Sequence, residues 1–292
     1  MRIAVIGPSG QLGSDLVPIL SLHHEVVKLE HTSIEVSDLE SVSKVLAEVN
    51  PGMVINTSAY HKLEEAEENP YRAFAVNTIG PRNLALTCRV MDVPLLHLST
   101  DYVFSGRKES PYIESDSVDP INTYGISKVA GEMALRCLWP RHFIVRTGAL
   151  YGKAGSSGKG GNFVELMLRL ASEAKPIRVV KDQTMTPTST QSLAQQIVTL
   201  IKSDRYGTYH ATCQGSCTWF DFAAEIFGVS GLKPDLSPQT TSQSGARVRR
   251  PAYSVLDNHN LNLLGLDLMP HWTEALKEYL DQRLHKKNKS QI

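Results

Sequence analysis

The chain has 292 residues, 41% of them apolar, enough to bury a sizeable core in one large α/β domain with a smaller lobe attached. Thirty Lys and Arg balance thirty Asp and Glu, which leaves no electrostatic footprint for nucleic acid or an anionic membrane and favours a small neutral or anionic ligand. The opening MRIAVIGPSG is apolar for only a few residues before Gly and Pro interrupt it, so no signal peptide or spanning helix is expected and the protein reads as soluble and cytoplasmic.

In chain order, short apolar runs alternate with longer amphipathic stretches. RIAVIG precedes a helix from Gln11, EVVKLE precedes DLESVSKVLAEVN, and MVINTSA precedes a helical stretch to about Asp92. PLLHLST then leads to the region of Tyr124, and HFIVRTG follows it. This rhythm predicts a Rossmann-type, doubly wound parallel sheet with helices on both faces, a dinucleotide-binding domain over 1–152. Beyond it, 153–161 reads as a flexible loop, NFVELMLRLASEA as a helix, IRVV as a strand and TSTQSLAQQIVTLIKS as a helix, with 188–203 packing back on the first domain. Residues 153–187 and 204–285 are assigned to a smaller, loop-rich C-terminal substrate lobe, in which 206–266 is rich in Ser, Gln, Gly and Pro. HWTEALKEYLDQRL closes the lobe as an amphipathic helix, and 286–292 reads as a frayed tail. Cys88, Cys137, Cys213 and Cys217 form no C-x-x-C pair, so they read as ordinary buried thiols and no metal site is expected.

Two motifs carry chemistry. GPSGQLG follows the first strand and opens a helix, with Gly7, Gly10 and Gly13 spaced to bring backbone amides of Gln11 and Leu12 close to a pyrophosphate. Glu30 ends the second strand, where a carboxylate can accept from an adenosine ribose; Lys28 and His31 pull the other way, leaving NADH and NADPH both open. Asp38 and Leu39, starting the second helix, are a candidate adenine contact, although Asp38 is equally well explained as an N-cap. The second motif is NTYGISK, which sets Tyr124 and Lys128 four residues apart on one helical face, a proton donor and a cation able to lower its pKa.

These motifs recur in order with NTSAYHKLEEAE at 56–67, VNTIGPRNLA at 76–85, LSTDYVFSG at 98–106, RTGALYG at 146–152, NFV at 162–164, TPT at 186–188 and RRPAYSVLDN at 249–258. Over nearly its whole length the chain resembles the extended short-chain dehydrogenase/reductases, in particular the dTDP-4-dehydrorhamnose reductase group. The resemblance implies a catalytic set of Thr100, Tyr124 and Lys128, in which Thr100 bonds the substrate carbonyl, Tyr124 protonates it and Lys128 holds the nicotinamide ribose and stabilises the tyrosinate. It implies that Ser58, Ala59, Tyr60 and Asn77 line or support the cofactor site, and that Asp101, Val103, Ala149, Asn162, Arg249 and Arg250 join Thr100 around a nucleotide sugar. Reduction of the C4 keto group of a nucleotide-activated 6-deoxy sugar by NADPH or NADH, in a monomer or homodimer, is the implied activity.

Where relatives carry a Trp after R-T-S, this chain has Ala149, so an aromatic surface is missing from the expected pocket. That leaves open a different carbonyl substrate, or a non-catalytic dinucleotide-binding regulatory subunit resembling the beta subunit of methionine adenosyltransferase. The acidic run Glu64, Glu65, Glu67 and Glu68 reads as a solvated helix face.

Overall fold

A computed structural model describes residues 1–154 and 161–289. Most of the loop expected at 153–161, and the last three residues of the expected tail, lie outside the described residues. Six strands, β1 (Arg2–Ile6), β2 (Glu25–Leu29), β3 (Met53–Asn56), β4 (Leu95–Thr100), β5 (His142–Thr147) and β6 (Gly207–His210), form one parallel sheet in the order β6-β5-β4-β3-β1-β2. The strand order reverses beside β1, between β2 and β3. In such sheets ligands bind in the crevice outside the carboxyl ends of the strands at that point.

Because side chains alternate along a strand, β1 feeds two cores. Ile3 and Val5 pack with Leu12, Leu16 and Leu20 of α1 (Gln11–Leu20) and with Leu193, Ala194 and Ile197 of α6 (Thr190–Leu200). Ala4 and Ile6 pack with Val42 and Leu46 of α2 (Leu39–Val49) and Leu84 of α3 (Gly80–Met91). The first core continues without a break into α5 (Phe163–Ser172), α7 (Trp219–Val229) and α8 (Trp272–Lys289) through Val164, Phe222, Ile226 and Leu276. Among the described residues no helix is long and apolar enough to cross a membrane.

Three stretches differ from expectation. GTYH, placed in the lobe on sequence, is β6 and completes the main sheet beside β5. It holds only four residues and opens on a Gly, too short for a period-two signal to stand out. WFDFAAEIFGV, taken as part of the loop-rich 206–266, is helix α7; it carries apolar residues on most of its circumference, which hides helical periodicity, although Thr218 and Asp221 form a capping box at its start. The stretch before Asp92 is broken into Leu63–Glu68, Pro70–Phe74, a π-helical turn at Ala75–Ile79 and then α3. Pro70 sits where a new helix must begin, and the π turn holds Asn77 fully buried. The last helix continues through Lys289, past the tail boundary expected at 286.

The glycine turn after β1 shows why its residues are small. Gly7 has φ +78°, and a Cβ at Gly13 would lie 2.3 Å from the Gly7 carbonyl oxygen and 2.8 Å from Pro8 Cα. Gly13→Ala should therefore lower stability by about 1–3 kcal/mol. Gly228→Ala, in α7 with nothing within 4 Å of its added carbon, should be neutral or stabilising. Urea unfolding midpoints of the two variants check both signs.

Candidate active site

Along the carboxyl edge of the sheet lies a cavity of about 750 Å³. Its nucleotide end is built by the turn after β1 and the ends of β2 and β3: Gly7, Gly10, Gln11, Leu12, Glu30, Ser58 and Ala59 all face it. Gly10 caps α1 without any side-chain hydrogen bond, so the first-turn amides keep their donor capacity and the positive end of the helix dipole. A Cβ on Gly7 would sit 2.9 Å from Thr57 Oγ1 and 3.1 Å from the Ser58 nitrogen. Bare backbone therefore forms this cradle, which fits a dinucleotide pyrophosphate. Ser9 donates its hydroxyl to Glu30 Oε2 at 2.8 Å, fixing that carboxylate at the rim.

The other end is built on the junction of β4 with helix α4 (Thr123–Leu138). Asn122 caps α4 by accepting from the Gly125 nitrogen at 2.8 Å and donates Nδ2 to the Arg249 carbonyl at 2.9 Å, tying the helix start to the lobe. Glu67 accepts from both the nitrogen and the hydroxyl of Thr123, each at 2.8 Å. Tyr124, Lys128, Glu132 and Arg136 then follow at four-residue intervals down one side of the helix. Thr100 ends β4; its hydroxyl donates to Asp101 Oδ1 at 3.0 Å, accepts from the Tyr102 nitrogen at 3.1 Å, and lies close enough to the Tyr124 phenol to oppose the rise in its pKa.

Burial dominates the electrostatics. It pushes the Tyr124 phenol up to about 12, with the Asp101 charge adding and Thr100 opposing. It pulls the Lys128 amine down to about 8 against the attraction of Glu132. It pushes the Asp101 carboxyl up to about 6 despite bonds from Ser254 and Thr100. Burial alone would raise Glu132 too, but Arg146, Arg136 and Ser99 outweigh it and hold this carboxylate below its usual range. Arg146 grips Glu132 with two hydrogen bonds, at 2.9 and 2.8 Å. The expectation that Lys128 lowers the Tyr124 pKa is not met. Lys128 Nζ turns to β4, donating to the Leu98 carbonyl at 2.6 Å and lying 3.2 Å from His97 Nε2.

Of the residues expected around a ligand, the cavity also collects Thr100, Asp101, Tyr124, Ala149, Asn162 and Arg250. Others stand back from it. Gly13 packs behind the turn, Asp38 caps α2 by accepting from the Glu40 nitrogen, and Leu39 is exposed beside it. Tyr60 donates its hydroxyl to Glu65, and Asn77 holds both backbone groups of Tyr60 and the Ser127 hydroxyl. Val103 is buried in a satellite core with Phe104 and Tyr112, and Arg249 contributes its carbonyl to Asn122. Lys128 lies beneath the cavity, 1% exposed. Nor is the acidic run simply solvated: Glu64 pairs with Arg250, Glu65 with Lys62, and Glu67 caps Thr123.

Several lining residues escaped sequence reasoning, among them Tyr102, Phe163, Arg169, Gln183 and Trp219. Phe163 and Trp219 stand 4.7 Å apart, so the lobe side has rings although Ala149 has none. The capping-box signal at Thr218 would have placed Trp219 at a helix start. Ala149 itself has φ +46°, a left-handed backbone unusual for a residue with a Cβ. All four cysteines are free, and among the described residues no group of three or more His, Cys, Asp or Glu is disposed to hold a metal.

The model of the family described as RmlD substrate binding domain matches residues 1–285. The chain belongs to that family. It is 40% identical to a dTDP-4-dehydrorhamnose reductase of Streptomyces griseus, across 95% of this chain and 92% of the relative. A crystal structure of a dTDP-4-dehydrorhamnose reductase from Clostridium acetobutylicum superposes with a TM-score of 0.93 at 38% identity, covering 97% of this chain and 100% of that one. The enzyme of the same name from Bacillus anthracis, solved in complex with NADP, superposes at 0.92 and 37% identity, covering 96% and 99%. Membership in this reductase family agrees with a glycine cradle at one end of the cavity and a half-buried phenol at the other.

Asp101 offers a pH test of the site. A carboxyl whose folded pKa lies above its unfolded value favours the native state while protonated, and that contribution is lost as pH rises through the folded pKa. Between 3.8 unfolded and about 6 folded the contribution is about 3 kcal/mol, at about 1.4 kcal/mol per unit. Wild-type stability relative to Asp101→Asn should therefore fall as pH goes from 4 to 7, measured by denaturant unfolding across that range.

Proposed function

We propose that this protein reduces the C4 keto group of a dTDP-linked 4-keto-6-deoxy sugar, converting dTDP-4-dehydrorhamnose to dTDP-rhamnose with NADPH or NADH. The observation that carries the reading is the Thr100–Tyr124 pair, a proton donor seated where the cavity passes from the glycine cradle to the lobe, in a chain of a reductase family. The relatives named dTDP-4-dehydrorhamnose reductase and the NADP complex of one of them support substrate and cofactor.

When bound, NAD(P)H supplies the hydride that C4 receives. Thr100 orients the carbonyl oxygen with its hydroxyl, and Tyr124 gives that oxygen its proton. A phenol held up near 12 is fully protonated at neutral pH, the state in which a general acid must start. In its protonated form Lys128, one turn along α4, places positive charge behind the tyrosinate that remains. Gly7, Gly10 and the first turn of α1 would hold the pyrophosphate of the cofactor, and Glu30 would bond its ribose. Asn162, Arg169 and Arg250 serve the sugar nucleotide. Arg250 Nη2 donates to Glu64 at 3.2 Å, while its buried Nε has no partner among the described residues and is free to meet a phosphate oxygen. Phe163 and Trp219 offer the base the aromatic surface that Ala149 does not.

Turnover of a dTDP-4-keto-6-deoxy sugar should consume NADPH or NADH at the nicotinamide absorbance. Tyr124→Phe should lower kcat by about 10²–10⁴-fold while cofactor affinity changes little. A folded, cofactor-binding protein that oxidises neither cofactor with any dTDP-keto sugar would overturn the reading.

A further inference from the structure

His97 lies in the middle of β4, fully buried, with one ring nitrogen toward β3 and the other toward α4. Its partners allow only one arrangement of protons. Asn56 Oδ1 accepts from the Ser58 nitrogen at 3.1 Å and from the Ser58 hydroxyl at 2.6 Å; a backbone nitrogen can only donate, so that atom is the amide oxygen. Asn56 Nδ2 therefore faces His97 Nδ1, at 3.1 Å, and an amide nitrogen can only donate. Nδ1 must accept, so the neutral ring carries its proton on Nε2, and that N–H points at Lys128 Nζ, 3.2 Å away. An ammonium has no lone pair to receive it. An amine does, and would still have a hydrogen for the Leu98 carbonyl at 2.6 Å.

We propose that His97 is a positioning residue for the reductive site: held in its Nε2–H form by Asn56 and Ser58, it disfavours the ammonium form of Lys128 and makes this lysine readier to release its proton. The chain of contacts runs from Ser58, which faces the cofactor end of the cavity, through Asn56 and His97 to Lys128 beneath Tyr124. The role assigned to Lys128 rests on the function proposed above; the proton arrangement does not. The other groups packed around the amine leave this conclusion intact. From α4 come Tyr124 and Glu132, and Glu132 is engaged by Arg146 of β5, by Arg136 and by Ser99 of β4. From β3 comes only the neutral Asn56, and the π turn reaches α4 through Asn77 and Ser127. Burial favours the same state, holding the imidazole neutral and pulling the lysine down to about 8.

Nitrogen-15 NMR of the ligand-free protein at pH 7 should find His97 protonated on Nε2 with Nδ1 bare. The Nδ1–H tautomer or an imidazolium would overturn the proposal. Titration of carbon-13-labelled lysine should show the Lys128 midpoint rising by about one pH unit, a tenfold gain in proton affinity, in His97→Leu. It should stay near wild type in His97→Gln, whose amide can accept from Asn56 and donate to Lys128. A histidine that merely accepted from an ammonium would give the opposite sign, and a lower midpoint in His97→Leu contradicts the proposal. If His97→Leu does not fold, the wild-type tautomer and His97→Gln still decide. An inactive protein with the predicted tautomer would sink the reductase reading alone; an active one with the other tautomer would sink only the role of His97.

Discussion

The reaction end of the cavity depends on one dry contact, the face of α4 carrying Tyr124, Lys128 and Glu132 pressed against β4 and β5. A carboxylate as deep as Glu132 survives there because Arg146 binds it through two parallel hydrogen bonds while Ser99 and Arg136 take its remaining lone pairs. Losing one partner of such a pair typically costs about 3–5 kcal/mol, because the other charge is left buried alone. That pair sets the height of α4 along the strands, and the height decides that Tyr124 meets Thr100 at the strand end. It also gives Lys128 an attractive charge, one already claimed by two arginines. Burial outweighs that attraction, so the lysine sits below its usual pKa.

The same contact explains how a site assembled from distant segments stays in register. Gly125 can approach the turn after β4 only because it lacks a side chain: a Cβ there would lie 2.3 Å from the Tyr102 carbonyl oxygen. Asn122 then links the first turn of α4 to Arg249, and the neighbouring Arg250 reaches Glu64, so the helix that carries the acid is bound to the segment that would contact substrate phosphates. Leu150 and Tyr151 pair with Thr188 and Ser189, placing Ala149 at the cavity through a left-handed backbone. Ligand occupancy at the lobe side should therefore be felt at Tyr124 through short, rigid connections rather than through a long loop.

Much of this could be read from the residues alone. β1 to β5 and their helices follow from apolar alternation, and the glycine turn and the Tyr124–Lys128 spacing announce their chemistry locally. What escaped was either too short, too uniformly apolar or non-local. GTYH is four residues of mixed polarity, and α7 is apolar on most sides. The partners of Lys128 come from β4, 30 and more residues away, so no local pattern could reveal that its nitrogen is turned toward Leu98 and His97 instead of the phenol. For the same reason the motifs could not show that Asp38 caps α2, or that Asn77 binds the backbone of Tyr60 instead of facing the cavity. The missing ring at Ala149 was visible in the sequence, but the rings of Phe163 and Trp219 that face the cavity were not, because α5 and α7 meet only in the folded chain.

The central claim, that hydride goes to C4 while Tyr124 protonates the oxygen, is tested most directly by a single turnover with NAD(P)H deuterated at the transferring position, followed by NMR of the product. One deuterium at C4 of the dTDP-linked deoxy sugar, with a solvent isotope effect on the same step that disappears in the residual activity of Tyr124→Phe, is the predicted result. Deuterium retained in the cofactor, found at another carbon, or a solvent effect that survives loss of the phenol would contradict it.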